Sequence, residues 1–68
     1  MSKESYMIES LTRDMITRLM EERGISMREA MDIVYRSHTY NALTNLNTGL
    51  YYQSDVYVMD QLEHELKQ

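Results

Sequence analysis

The chain contains no proline and only two glycines, Gly24 and Gly49, in 68 residues, so very little in it can stop a helix once one has begun. Wherever apolar residues recur at helical spacing, the helix should run on until one of those glycines, or a run of capping side chains, interrupts it. The two breaks fall at Arg23-Gly24-Ile25-Ser26 and at Asn47-Thr48-Gly49. A fold built from such a chain is all-α, a small bundle of three to four helices.

The first segment, residues 5–23, places Ile8, Leu11, Met15 and Leu19 on one face, with Ile16 and Met20 one step round. Glu9/Arg13 and Asp14/Arg18 put an acid four residues before a base, the better orientation for a helical ion pair. Arg23 makes the last turn basic, and Gly24 can take the left-handed conformation that ends a helix. Ser26-Met27-Arg28-Glu29 is a capping box and opens a second helix, 26–36, with Met27, Ala30, Met31 and Val34 in period and Asp32/Arg36 as a further pair. Ser37 or Thr39 can cap a third helix, 38–46, through Tyr40, Leu43 and Leu46. Asn47-Thr48-Gly49 then turns the chain into an extended connector, Leu50-Tyr51-Tyr52-Gln53. Ser54-Asp55 starts the last helix, 54–67, which carries Val58, Met59, Leu62 and Leu66 on one face and ends on the pair Glu63/Lys67.

Sixty-eight residues form a single helical domain, 1–68, and a core this small is marginal without additional support. Disulfides and thiolate metal sites are excluded because there is no cysteine, which leaves oligomerisation or very regular helix packing. A homo-oligomer is therefore expected. The first residues lead into a charged amphipathic stretch, so neither a signal peptide nor a membrane span is read, and a soluble, cytoplasmic protein is expected. The formal charge is −4, and six of the seven Lys and Arg lie in residues 1–36 with none in 37–66, which counts against nucleic acid as a partner of the second half.

No catalytic site, cofactor or metal is expected. His38 and His64 are 26 positions apart, and Glu63, His64 and Glu65 are consecutive, whereas ligands on one helix face stand three or four apart. Ser26, Ser37 and Ser54 sit where caps are needed, and two isolated glycines make no phosphate loop.

The aromatic content is all tyrosine, six residues with no Phe or Trp, and five of them fall between Tyr35 and Tyr57. From Ser37 to Ser54 the chain has no formal charge at all. Tyr40, Tyr51, Tyr52, Gln53 and Tyr57 are thus candidates for an interaction surface, because tyrosine supplies contact area while its hydroxyl stays wet. They could equally form the boundary of a small core lacking Phe. The seven methionines, including Met15, Met20, Met27, Met31 and Met59, read more readily as adaptable core filler than as a recognition surface.

Two resemblances bear on function. Residues 11–36 resemble the opening of helix-turn-helix repressors, which implies DNA binding as the alternative function, but the segment after Ser37 offers Asn41 and Asn45 with no Lys or Arg to neutralise phosphate. The run Thr48-Gly49-Leu50-Tyr51-Tyr52-Gln53-Ser54, followed by Tyr57-Val58 and by Leu62, Glu65 and Leu66, with Ile25-Ser26 and Glu29-Ala30 upstream, resembles an uncharacterised family of short bacterial all-helical proteins, a domain of unknown function. These are similar to other tiny helical proteins encoded beside toxin-like ADP-ribosyltransferase relatives. The resemblance implies a partner-binding role and brings no catalytic residue with it. The family carries Pro after Gln-Ser where this chain has Asp55, which keeps the cap and weakens the match. The function expected is thus a non-catalytic protein-interaction module, self-associating and binding an unidentified protein partner through the Tyr-rich surface.

Overall fold

Every helix begins at a serine. In the computed structural model, which describes residues 2–68, Ser2, Ser26, Ser37 and Ser54 stand in extended backbone, and each side chain accepts the N–H three residues on. The helices they open are α1 (Lys3–Arg23), α2 (Met27–Arg36), α3 (His38–Thr44) and α4 (Asp55–Leu66). Two single 3-10 turns, Leu46–Thr48 and Leu50–Tyr52, lie between α3 and α4, and no strand occurs among the described residues. The fold is an all-α helical bundle.

Helix α1 is the spine. At about 1.5 Å per residue its 21 residues span the long dimension of the molecule, which measures 32 × 26 × 19 Å. Leu11, Met15 and Leu19 recur every four residues and bury one stripe of α1 against Ala30 and Val34 of α2, Leu43 of α3, Tyr51, and Val58, Met59 and Leu62 of α4. Thr12 is buried beside them because its hydroxyl donates to the Ile8 carbonyl at 2.7 Å, which leaves no polar atom unpaired.

The first break behaves as its residues require. Gly24 has φ +63° and its N–H donates to the Met20 carbonyl at 3.0 Å. Both halves of the capping box form, with the Glu29 N–H on Ser26 Oγ at 3.1 Å and the Ser26 N–H reaching back to Glu29 Oε1 at 3.4 Å.

The second break is more built than expected. Helix α3 ends at Thr44 rather than 46, because Asn45 leaves the helix and its side chain accepts the Asn47 N–H at 3.1 Å, so Leu46 falls outside the helix and is half exposed. Residues 50–53 are not an extended connector. With no strand to pair with, their backbone groups are satisfied locally, and Leu50–Tyr52 wind into a 3-10 turn in which the Gln53 N–H donates to the Leu50 carbonyl at 3.0 Å. Thr48 joins the two turns: its hydroxyl donates toward the Ala42 and Asn45 carbonyls at 2.7 and 2.9 Å and accepts the Leu50 N–H at 3.1 Å. Gly49, with φ +69°, supplies the permissive residue.

Charge pairing also departs from the expected pattern. Asp32–Arg36 forms at 3.3 Å, but Arg18 pairs forward with Glu22 at 3.5 Å, and Glu63 turns from Lys67 toward Arg23 of α1 at 3.6 Å. The last of these tethers the C-terminal ends of α1 and α4. It leaves Glu63 Oε1 buried with no hydrogen-bond partner, so its net contribution is small.

A second acid on α4 does more. Glu65 accepts the His38 N–H on Oε2 at 2.8 Å, and on Oε1 the Thr39 N–H at 2.9 Å and the Thr39 hydroxyl at 2.8 Å. With Ser37 Oγ taking the Tyr40 N–H at 3.0 Å, the first three amides of α3 are all satisfied, two of them by a carboxylate more than 25 residues away. Ser37 Oγ also donates to the Val34 carbonyl at 2.6 Å, so one buried residue ends α2 and starts α3.

Candidate interaction surface

The five residues singled out in the sequence do not form one patch. Tyr51 is 7% exposed and belongs to the core, with its ring 4.4 Å from that of Tyr52, which stands 67% exposed beyond it. Gln53 is exposed at the end of the same turn, Tyr57 is half exposed on α4, and Tyr40 is half-buried on α3. Within the Tyr-rich interval Tyr51 thus lies in the core while Tyr52 stands at the surface.

Tyr40 pairs instead with Tyr35 of α2. Their rings meet edge to face with centroids 5.0 Å apart and planes at 89°, a favourable aromatic geometry. The hinge at Ser37 and the Glu65 clasp hold α3 so that this pair closes one end of an open groove of about 380 Å³, whose other wall is α1 through Ile8, Thr12 and Ile16, with Glu9 and Arg13 at its rim. Its lining mixes Ile8, Ile16 and the two tyrosine rings with the polar Ser5, Glu9, Thr12 and Arg13.

Helix α2 extends that surface. Its core face is made by Ala30 and Val34, fully buried, with Ile33 half-buried beside them, yet the helix carries a second apolar line, Met27, Met31 and Tyr35, at spacings of four residues. Exposures of 57%, 36% and 48% place that line in solvent. Met27 and Met31 are therefore not core filler, whereas Met15 and Met59 are, and Met20 is half-buried against the core. The signal was present in the sequence: six of the ten residues of α2 are apolar, a wider arc than one buried stripe requires. Tyr35 belongs both to this line and to the groove.

Along its other edge α2 is flanked by Arg28, Asp32 and Arg36, and with Glu29 the helix carries two bases and two acids. Helix α4, which exposes Val56 and Tyr57, carries Asp55, Asp60, Glu63 and Glu65 without a Lys or Arg inside the helix. Burial of the Glu65 carboxyl works to raise its pKa. The N–H of His38, the hydroxyl and N–H of Thr39 and the His38 charge outweigh that and hold it below the usual glutamate value.

Among the described residues no cluster of His, Asp or Glu is arranged to hold a metal ion, and no helix is long and apolar enough to cross a membrane. The serines that could act as nucleophiles have their hydroxyls committed to helix caps. The site thus defines a helical bundle with an exposed aromatic and methionine surface. Comparison with protein-family models, curated proteins and solved structures finds no match for the chain.

Proposed function

We propose that this protein is a small non-catalytic interaction module that associates with itself and, through exposed tyrosines, with a second protein. The observation that carries the reading is the exposed apolar line Met27, Met31 and Tyr35 running into the Tyr35–Tyr40 groove, on a domain whose core comprises ten buried apolar residues among those described. Methionine and tyrosine suit such a contact, the one by adapting its shape and the other by adding area at low conformational cost. Tyr52, Gln53 and Tyr57 lie in or beside the uncharged interval and supply the surface for a protein partner. The family resemblance of residues 48–66 points to the same class of function.

The alternative, a DNA-binding regulator, draws no support from the geometry. Helix α3, which follows α2 where a recognition helix would lie, has seven residues and neither Lys nor Arg. Sedimentation velocity from micromolar to millimolar chain tests the leading reading. A mass that rises with concentration is expected, and a strict monomer throughout would remove self-association.

A further inference from the structure

We infer that the self-contact is an antiparallel pairing of α2 with α2 of a second copy of this chain, about a two-fold axis passing beside Met31. This rests on the self-association proposed above and specifies its geometry. In a two-fold interface every residue meets the symmetry-related surface, so the patch must complement itself in shape and charge. The line on α2 does so. Reversal about Met31 places Met27 opposite Tyr35 of the other copy and Tyr35 opposite its Met27, while the two Met31 side chains meet on the axis.

Charge follows the same symmetry. Arg28 and Asp32 share one flank of the line, three residues before and one residue after Met31. The two-fold sets each Arg28 against the second copy's Asp32, offset by about 3 Å along the helix at 1.5 Å per residue, within reach of a guanidinium. Within the chain Asp32 pairs with Arg36 through a wholly solvent-facing contact, and Arg28 has no ion pair among the described residues. Pairing α2 with itself therefore brings together a helix of balanced charge. Apart from the scattered Tyr6, Leu46 and Tyr52, the exposed large apolar residues outside α2 are Val56 and Tyr57 of α4, a helix with four acids and no Lys or Arg, so a second copy paired there would set acid against acid. That repulsion selects α2.

Area points to how much more is covered. A stable interface buries about 800 Å² on each partner, roughly a sixth of the 4810 Å² this chain exposes. A ten-residue helix edge cannot supply that alone. The groove that continues from Tyr35 along Ile8, Thr12 and Ile16 is the adjoining, partly apolar surface, and the second copy covers it as well.

The absence of cysteine makes the test direct. Met31→Cys introduces a single thiol on the axis, where the two Cα atoms fall in the range of about 4.4–6.8 Å that a disulfide spans. Mild oxidation of M31C is expected to yield mainly covalent dimer, while V56C, at a position more open to solvent, stays monomeric. In the second arm, Arg28→Glu and Asp32→Arg each weaken association about tenfold, and R28E/D32R together recover it to within about threefold of the parent. Circular dichroism confirms that each variant is folded; the side chains altered are all solvent-exposed, so folding is expected to persist. Self-association without cross-linking of M31C, or equal cross-linking of V56C, or no recovery in the double variant, would overturn the α2 pairing and leave self-association standing. A monomer at every concentration would overturn both.

Discussion

The two breaks in the helical path are held in opposite ways. The first spans three residues, and its hydrogen bonds all close within four positions: the left-handed Gly24, the Met20 carbonyl it caps, and the reciprocal bonds of Ser26 and Glu29. The second takes ten residues from Asn45 to Ser54, passes through two 3-10 turns, buries Tyr51 in the core, and follows a short helix whose N-terminus is closed by Glu65 from the far end of the chain. One is closed by bonds between near neighbours alone. The other also has local hydrogen bonds, but Tyr51 in the core and the Glu65 clasp at the start of the preceding helix tie it to α4, so its stability is coupled to that of the whole fold.

That contrast can be broken most forcefully at Leu43, the fully buried residue by which α3 enters the core. Leu43→Ala is expected to cost about 3 kcal/mol, a large share of what a domain this small possesses, and urea unfolding would show it as a collapse of the midpoint. If α3 and the turns after it were locally held, the rest of the bundle would unfold near the parent midpoint while α3 frayed, and the transition would split in two.

A smaller effect is expected from Glu65→Gln, about 1–2 kcal/mol, because an amide oxygen cannot accept all three donors and its NH₂ faces the amides of α3. The dependence on pH sharpens the point. The folded carboxyl is held below its ordinary value, so its contribution is fully present above the unfolded value of about 4.3 and is lost as pH falls through the lower, folded value. The difference in urea midpoint between parent and E65Q should therefore be constant near neutrality and close in strong acid. A difference that persisted unchanged below the folded value would show that the clasp does not depend on the charge.

The smallest effect belongs to the local break. Gly24→Ala meets no atom within 4 Å, so its cost is purely that of holding a Cβ at positive φ, about 1 kcal/mol. Amide exchange should report it as opening confined to the end of α1. Exchange that quickened equally in α4 would mean the first break is as cooperative as the second.

How much of this could be read beforehand follows the same division. The capping box, the C-terminal glycine of α1, the Ser54 start and the buried period of α1 and α4 each depend on residues within one or two turns, so periodicity and capping chemistry suffice to read them. The end of α3 depends on Asn45 competing for backbone donors, and the 3-10 turn at Leu50–Tyr52 on the absence of any strand partner, neither of which spacing reveals. The role of Glu65, in sequence only one of three consecutive residues that make no metal site, is hidden because its three donors lie across the fold. The candidate surface follows the same division. An uncharged stretch marks where chain is poor in charge, not where it is exposed: Tyr51 within it is buried, and Met27 and Met31 of α2, whose period reads as core, stand exposed outside it.

The joint at Ser37 sets a limit on how this protein can change. One hydroxyl closes α2 and opens α3, and no linker separates them. A single inserted residue there would advance the path by about 100° of helix rotation, swing Tyr40 away from Tyr35 and carry the α3 amides off Glu65. The same insertion between Asn45 and Gly49, where the backbone is exposed, would disturb the Asn45 and Thr48 bonds of that turn but leave the α2–α3 joint in place. Related chains should therefore keep a constant length from α2 to α3 and vary it after α3, and length variation, rather than residue identity, would mark the arm that this molecule keeps rigid.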